Sequence, residues 1–324
     1  MNVFRKLITG FSKSLELPPH RLNPRNESTL TKRHRTIESS PIPRMRLQKL
    51  KLGKIDIVMW TLNSARMLDE SLSSIAKAVP ENKICHRIMV DGGSKDNTVE
   101  LGKRFGWEVF RSDRGIWRQA NYALNRVDSE FYASFEHDIL LSENWLPRVE
   151  EAIGRNNVAV AQGIRLFTGS GTLAAMDRWN YEHHTISAPY ASLDNNLCKT
   201  EVIRKAGGYA PPSGPAGTDS LLIEAVHRQG YEWVIDKRCV SGHMRPGIPS
   251  YARHILGGQQ RAMMEYEKEY GPRPIARLIF SPIRGAQMAS RYHAFTAFAG
   301  YPLYRFLIFL VAKRVSAQRP HHVT

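Results

Sequence analysis

Residues 88–98 read Ile-Met-Val-Asp-Gly-Gly-Ser-Lys-Asp-Asn-Thr, a short apolar run that ends in an aspartate and two glycines. The apolar triplet predicts a buried strand, and the two glycines allow a tight turn with positive φ after it. Asp91 therefore lies at the carboxyl end of a strand, which is where open α/β sheets bind their ligands. Asp96 or Asn97 is placed to cap a helix that begins near Thr98.

A second acidic strand end follows downstream. Residues 130–135 read Glu-Phe-Tyr-Ala-Ser-Phe and predict another strand, after which come Glu136, His137 and Asp138. Because two strand ends in one sheet can converge on one pocket, Asp91 and this acidic pair predict a shared site. Carboxylates of this kind suit a divalent metal ion and a nucleoside diphosphate.

Strand and helix patterns alternate around these two points. Strands are predicted over 55–60, 87–90, 107–110, 130–135, 158–161 and 234–235, and helices over 68–78, 99–105, 115–125, 200–206 and 220–229. This alternation predicts the α/β class, with a mostly parallel sheet flanked by helices. Residues 174–190 mix aromatic and polar side chains without a clear period, which is typical of loops.

The net charge of +16 is concentrated at the two ends of the chain. Residues 1–54 hold 13 Lys and Arg against 3 Asp and Glu, and residues 271–324 hold 8 against none, which leaves 25 against 27 for 55–270. A duplex-binding protein carries its positive charge on the folded face that meets the phosphates. Cationic tails beside apolar residues suit an anionic membrane surface instead, so the distribution argues against nucleic acid as a partner.

Apolar patterns near both ends of the chain also indicate association with a membrane. Apolar residues within 1–11 follow helical spacing, so this stretch is either a short interfacial helix or a frayed end, and 12–53 reads as a linker. Residues 294–312 are largely apolar but are interrupted by Gly300, Pro302 and Arg305. Because a spanning helix needs about 20 apolar residues, we expect this amphipathic, apolar segment to lie in the interface or to enter one leaflet.

Cysteine usage indicates the compartment. Cys85, Cys198 and Cys239 are widely spaced and odd in number, so neither a disulfide framework nor a zinc spacing is present. Each is expected to be a small buried apolar residue. A secretory signal is not recognisable, and we expect a cytoplasmic protein that associates peripherally with the membrane.

Four stretches in the expected order resemble the inverting family 2 glycosyltransferases, whose fold is called GT-A. They are Val58-Met59-Trp60-Thr61-Leu62-Asn63, the 90–98 stretch, Asp113-Arg114-Gly115-Ile116 with Glu136-His137-Asp138, and Gly217-Thr218-Asp219 with Gly230-Tyr231. The resemblance runs over about 55–271. It implies a GT-A domain at 55–271, while charge and composition predict a basic arm or linker at 1–54 and a basic, apolar, membrane-associating helical segment at 272–324.

The resemblance also implies roles for particular residues. Asp138 is the expected metal ligand, together with Glu136, which stands where the family has aspartate, and His243, which follows the last predicted strand. Asp219 is the expected catalytic base, although Thr218 replaces the first acid of the family's usual pair. Contacts to the nucleotide-sugar are expected from the residues Thr61, Asn63, Asp91, Arg118, Glu136 and His137.

The chemistry explains these residue types. A departing nucleoside diphosphate builds negative charge that a divalent ion neutralises, here Mn²⁺ or Mg²⁺. The attacking hydroxyl must lose its proton to a base. We therefore expect a metal-dependent inverting glycosyltransferase that moves a sugar from a nucleotide-sugar donor to a lipid-linked or glycan acceptor at the membrane surface.

Two alternatives remain open from the sequence. A nucleotidyltransferase on a related sheet is one, but such enzymes carry a Gly-rich basic loop after the first strand, and 61–66 is not one. A non-catalytic membrane or nucleic-acid adaptor with a degenerate transferase domain is the other. Its only hints are the departures at Glu136 and Thr218.

Overall fold

The computed structural model describes residues 52–183, 192–212, 217–244 and 273–317. The predicted features at 1–51, an interfacial helix and a linker, lie outside these ranges. The strands are β1 (Ile55–Thr61), β2 (Ile84–Asp91), β3 (Glu108–Arg111), β4 (Phe131–Glu136), β5 (Ile139–Leu140), β6 (Val158–Phe167), β7 (Asn196–Lys199) and β8 (Glu232–His243). The helices are α1 (Ala65–Ala78), α2 (Thr98–Arg104), α3 (Ile116–Leu124), α4 (Trp145–Ile153), α5 (Gly171–His183), α6 (Thr200–Lys205), α7 (Thr218–Arg228), α8 (Arg273–Ile279), α9 (Ser281–Arg291) and α10 (Ala297–Ala317).

The strands form one sheet in the order β3-β2-β1-β4-β7-β6-β8-β5. The first four neighbours are parallel, β7 runs antiparallel to both β4 and β6, β8 is parallel to β6, and β5 is antiparallel to β8. The predicted α/β class, with a sheet flanked by helices, is confirmed. The carboxyl ends of β1, β2 and β4 therefore meet at one edge of the sheet.

Strand β1 shows why this sheet has helices on both faces. All seven of its residues are buried. Ile57 and Met59 belong to one apolar core cluster, whereas Val58 and Trp60 belong to the other. Successive side chains of a strand point to opposite faces, so a continuous apolar run is stable only where both faces are covered.

Several elements were missed or shortened by the sequence patterns. Strand β8 was predicted only at 234–235 because Asp236, Lys237 and Arg238 interrupt its apolar run. The pairing with β6 shifts register at this point, and the Asp236 carboxylate accepts hydrogen bonds from the Arg238 backbone N–H and Nε, both at 2.9 Å. An irregularity of this kind lets a strand continue past polar residues.

The prediction of a loop at 174–190 was wrong for its first part, which is helix α5. Of the segment, 184–190 lie outside the described residues. Helix α5 lacks a clear apolar period because protein contacts it on more than one side. Ala175 and Met176 pack against the C-terminal helices, while Asp177 Oδ2 accepts a hydrogen bond of 3.0 Å from the Phe167 backbone at the end of β6.

Helices α8–α10 are packed against the rest of the described chain. Met288, Ala297 and Tyr301 share an apolar cluster with Met176 of α5. Among the described residues no helix is long and apolar enough to cross a membrane. Within α10, Ile308 and Val311 of the longest apolar run are buried.

The cysteines are free thiols, as expected. Cys198 and Cys239 are buried, and burial raises the pKa of each to about 12. Cys85 is exposed, so the expectation that it is buried was wrong. It occupies the second position of β2, near the amino end of the strand, where the residues are less buried than in the last four positions.

Candidate active site

The loops after β1 and β2 are held together by polar side chains. Asn63 adopts a positive φ of 49°, and its side-chain oxygen accepts a hydrogen bond of 2.8 Å from the Lys95 backbone. The backbone of Asn63 donates to Ser94 Oγ at 2.7 Å. Asp96 accepts hydrogen bonds from the Ala65 and Thr98 backbones at the starts of α1 and α2. These contacts make one connected rim at the carboxyl edge of the sheet.

The Asp91 carboxylate holds this rim in place through the hydrogen bonds that it accepts. The residue is buried, and its Oδ2 accepts hydrogen bonds from the backbones of Gly93 at 2.9 Å and Ser94 at 2.7 Å. Its Oδ1 accepts from Thr61 Oγ1 at 3.2 Å and from the Ser94 hydroxyl. Thr61 and Asp91 are register partners in β1 and β2. The carboxylate predicted to contact the nucleotide thus also fixes the turn beside it.

Gln119 is a buried residue of this rim that the sequence patterns did not single out. Its side-chain amide donates to the carbonyls of Thr61 at 2.8 Å and Val90 at 2.9 Å, at the ends of β1 and β2. A side chain at Gly92 would meet Gln119 at 3.2 Å. The glycine is therefore required by close approach of the loop to α3. No local signal in the sequence distinguishes this glutamine from a surface residue of the helix.

Arg118, on the other hand, is exposed on α3. Its guanidinium lies 4.6 Å from the centre of the Trp117 ring and donates to the Arg114 carbonyl at 3.3 Å. His137 is half-buried in the turn after β4. Both stay predicted contacts to the nucleotide-sugar.

A charged cluster lies two strands away from Asp91, at the end of β4. Trp60 of β1 pairs with Glu136 of β4, so two strand spacings, about 10 Å, separate the two acidic strand ends. Arg165 of β6 donates from Nη1 to Glu136 Oε2 at 2.8 Å and to Asp194 Oδ2 at 3.2 Å. Asp194 is fully buried, and its Oδ1 accepts from the Glu136 backbone at 2.8 Å.

Arg165 and Asp194 were not predicted as site residues. Arg165 could have been identified because it interrupts the apolar strand 158–167, and a buried charge needs a partner. Asp194 gives a weaker signal, since it lies in a polar run before a strand that was itself missed.

His243 completes the cluster from the end of β8. Its Nε2 lies 3.2 Å from Asp138 Oδ2, and both residues are buried. Single ligand atoms of Glu136, Asp138 and His243 all lie within 4.8 Å of one another. The three predicted metal ligands are therefore brought together. In addition, Asp138 Oδ1 is buried without a hydrogen-bond partner among the described residues.

The electrostatics of the cluster follow from one buried cation among three carboxylates. Burial opposes ionisation of Asp138, but the hydrogen bond and charge of His243 outweigh it and lower its pKa well below the usual value. Burial likewise works against the charge of Glu136, whose pKa Arg165 nevertheless lowers. For Asp194 burial prevails over Arg165 and raises the pKa to about 8. When His243 is neutral, as a metal ligand must be, Arg165 is the one cation beside the ionised Glu136 and Asp138, and a divalent cation bound by Asp138 would supply the missing positive charge.

Asp219 lies in the first turn of α7, two residues after Gly217. It is half-buried, and its Oδ1 accepts a hydrogen bond of 2.8 Å from the Ser220 backbone. Gly217 occupies the N-cap position, so Asp219 is not the cap of this helix. Residues 213–216, immediately before it, lie outside the described ranges.

Aromatic side chains can stack on sugar rings, but Trp179, Tyr181 and Trp233 have protein partners. Trp179 stacks on His183 with ring centres 3.8 Å apart, and the Arg284 guanidinium lies 4.4 Å from the Trp179 ring centre. Trp233 Nε1 donates to Gln162 Oε1 at 2.8 Å, and the Tyr181 hydroxyl donates to the Lys237 carbonyl at 3.0 Å. These contacts fit structural roles.

A second cluster with metal-ligand chemistry consists of Asp56, Cys85 and His86. Asp56 is fully buried, and its two oxygens accept four hydrogen bonds, from the His86 backbone and ring and from the Asp128 and Ser129 backbones. Because its carboxylate is already satisfied, this group has a structural role at the opposite end of β1.

The comparisons with known proteins agree with this architecture. The family model described as glycosyl transferase family 2 matches residues 56–211. The matched range includes both acidic strand ends, Arg165 and Asp194, and ends before Asp219 and His243. No curated protein matches the chain significantly in sequence.

Solved structures share the fold at low identity. The mannosyltransferase PcManGT from Pyrobaculum calidifontis, in complex with GDP-Man and Mn²⁺, is 16% identical with a TM-score of 0.53, over 79% of this chain and 87% of that one. A glucosyl-3-phosphoglycerate synthase from Mycobacterium tuberculosis, in complex with Mn²⁺, UDP and glucosyl-3-phosphoglycerate, is 15% identical with a TM-score of 0.46, over 64% and 80%. The GT-A fold is confirmed, and with the family match so is the predicted enzyme class, a nucleotide-sugar glycosyltransferase.

Proposed function

We propose that this protein is a metal-dependent, inverting glycosyltransferase that uses a nucleotide-sugar donor. The observation that carries the proposal is the buried Asp138–His243 pair beside Glu136, with Asp138 Oδ1 left without a partner. Buried polar atoms in folded proteins are almost always hydrogen-bonded, so an orphaned carboxylate oxygen among ligand-type side chains points to a cation. The solved relative PcManGT was obtained with GDP-Man and Mn²⁺, which supports Mn²⁺ or Mg²⁺ as the ion.

Two groups of residues along the sheet edge would bind the two ends of the donor. Asp138 and His243 would hold the metal ion, with Glu136 beside them. When bound, the ion neutralises the charge that develops on the departing diphosphate. The rim around Asp91, Thr61 and Asn63 lies about 10 Å away, two strand spacings, where the nucleoside end of the donor would bind.

Arg165 fixes the position of Glu136 within the acidic cluster. One nitrogen of its guanidinium, Nη1, donates to both Glu136 and Asp194. The Glu136 backbone N–H also donates to Asp194. Removal of one partner from such a buried ionic group leaves an uncompensated charge, which costs several kcal/mol. Arg165 therefore acts as a positioning residue for Glu136.

Asp219 is the proposed general base. It would accept the proton of the acceptor hydroxyl as that oxygen attacks the anomeric carbon from the face opposite the diphosphate. A single displacement of this kind inverts the configuration. The partly exposed carboxylate in the first turn of α7 supports this role, because an incoming acceptor must be able to reach it.

We place the enzyme at the cytoplasmic face of a membrane, with a lipid-linked or glycan acceptor. The support is the charge distribution, with cationic ends around a nearly neutral middle. An anionic leaflet attracts such segments at about 1 kcal/mol for each Lys or Arg near the surface.

The activity is tested by release of nucleoside diphosphate from GDP-mannose and UDP-glucose, with Mn²⁺ and with EDTA. We expect metal-dependent slow hydrolysis of one donor by the full chain, and its loss in Asp138→Asn. Asp236→Asn is the matched control, because Asp236 also lies at the sheet but pairs with Arg238. Hydrolysis that persists in EDTA, or full activity of Asp138→Asn, would contradict the proposal.

A further inference from the structure

We infer that helices α8–α10 present a preformed docking face for an anionic lipid bilayer, which we call the membrane face. It comprises the exposed apolar side chains of these helices, chiefly Ile279, Phe280, Ile283, Phe295, Phe298 and Phe306. The inference builds on the proposed function and identifies the surface by which that enzyme meets its membrane.

Nearly all the large apolar side chains that are exposed in the described part of the chain lie on these three helices and their junctions. Phe280 is 62% exposed, Phe295 80% and Phe298 63%. Among the described residues, Ile116 is the only strongly exposed large hydrophobic side chain outside these helices. Single exposed apolar residues are ordinary, but contiguous groups of them mark interaction sites.

The face projects its aromatic residues at two helix junctions. Phe280 lies between α8 and α9, and Phe295 lies between α9 and α10. The longest apolar run of the sequence, 306–312, is only partly available, because Ile308 and Val311 are buried. Phe280 and Phe295 at the junctions, 62% and 80% exposed, would therefore insert further than Phe306 of that run, which is 46% exposed.

The positive charge of the C-terminal segment favours an anionic bilayer over a second copy of the chain as the partner of this face. Residues 271–324 contain eight Lys and Arg and not one Asp or Glu. Arg277 and Arg284 are exposed on α8 and α9, whereas Arg291, also exposed, is paired with Glu182 of α5 at 2.7 Å. A second copy of the same face would bring like charges together, which opposes self-association, whereas anionic headgroups attract both the arginines and the apolar tips.

The membrane face is a rigid part of the fold. A side chain at Gly285 of α9 would meet the Ala297 carbonyl of α10 at 2.7 Å, and one at Gly300 would meet Thr172 of α5 at 2.3 Å. Such close approach requires glycine at both positions. Helices α9 and α10 therefore form a single packed body with α5, in contrast to a loose cationic tail.

This body is joined directly to the metal cluster. Thr168, just after β6, donates its backbone N–H to the His243 carbonyl at 3.1 Å, and Phe167 is the register partner of His243. Helix α5 begins at Gly171 and separates this strand end from α9 and α10. The membrane face is therefore connected to the metal cluster through α5 and the end of β6.

The test is co-sedimentation of the full chain with vesicles of phosphatidylcholine alone or mixed with phosphatidylglycerol, in EDTA and without donor. We expect binding to the anionic vesicles that salt weakens only in part, because the apolar contribution is not screened. Phe280→Ser/Phe295→Ser/Phe298→Ser should bind at least about tenfold more weakly, since each serine removes apolar area from the bilayer. Ile116→Ser is the matched control and should bind like the unmodified chain.

Three results would overturn the inference. The first is a lack of binding to anionic vesicles, and the second is a triple variant that binds like Ile116→Ser. The third is a dimer in solution that the triple variant converts to monomer, because the face would then be a self-association surface. Since the assay needs neither metal nor donor, its outcome is independent of the hydrolysis test, and a cooperative urea unfolding transition like that of the unmodified chain shows that the triple variant is folded.

Discussion

His243 Nε2 lies 3.2 Å from Asp138 Oδ2, although the two residues are 105 positions apart in the chain. Strand β5 pairs with the end of β8, with Ile139 opposite His243, and so fixes the turn that carries Asp138 against that strand end. The Met244 backbone donates to the Asp138 carbonyl at 2.8 Å and closes the connection. The sheet therefore holds the pair together at the place where we propose that a cation binds.

His243→Ala should weaken Mn²⁺ binding by at least about tenfold, since a metal ligand and the partner that orients Asp138 are lost together. Isothermal titration with Mn²⁺ measures the change directly. His227→Ala, on the exposed side of α7, is the control and should bind Mn²⁺ normally. Unchanged affinity in His243→Ala would remove the imidazole from the metal site.

Asp219→Asn should lower turnover by roughly 10²–10⁴, the usual contribution of a positioned general base, while donor affinity stays near normal. Steady-state kinetics with the donor identified by hydrolysis, together with nucleotide binding by titration, separate the two effects. Ser220→Ala is the control for the adjoining turn, because it removes the Ser220 hydroxyl and keeps the backbone N–H that donates to Asp219. If Asp219→Asn turns over like Ser220→Ala, the base lies elsewhere.

Gln119→Met should destabilise the protein by about 1–3 kcal/mol, because the carbonyls of Thr61 and Val90 lose a buried donor. Urea unfolding provides the measurement. Gln229→Met is a matched control: its amide also donates to two carbonyls, Val202 and Ala225, but at 3.3 Å and in a half-buried setting. A loss no larger than that of the control would show that Gln119 does not hold the two loops together.

Asp194 should give the metal-free protein a characteristic pH dependence. Burial raises its pKa from 3.8 to about 8, so the folded state retains its proton more tightly than the unfolded state. The stability that this group contributes is complete below about pH 4 and is lost as the pH rises towards about 8. Urea unfolding in EDTA across this range should show the loss, and Asp194→Asn should abolish it.

A contrasting carboxylate provides the control for that experiment. The hydrogen bond from Arg238 lowers the pKa of Asp236, so its stabilising contribution is present above the ordinary pKa and is lost as the pH falls. Asp236→Asn should therefore destabilise the protein most towards neutral pH. The same pH profile for both variants would contradict the assignment for Asp194.

The sequence alone determined the part of this protein that depends on local pattern. An apolar run such as 55–61 can be buried on both faces only in a sheet covered by helices, so the α/β class and the acidic ends of β2 and β4 were predictable. The resemblance in the 90–98 and 136–138 stretches indicated the class of enzyme. Helix α4 was overlooked although Leu146, Val149 and Ile153 have helical spacing.

Only the tertiary structure decided the partnerships between distant segments. Gln119 bridges two strand ends, Arg165 joins Glu136 to Asp194, and His243 meets Asp138, yet each lies in a different element from its partners. Helix α5 has no clear period because its neighbours, and not its own sequence, determine which of its sides are buried. Local sequence fixes the direction in which a side chain leaves its strand or helix, whereas the order and register of the strands determine what it meets.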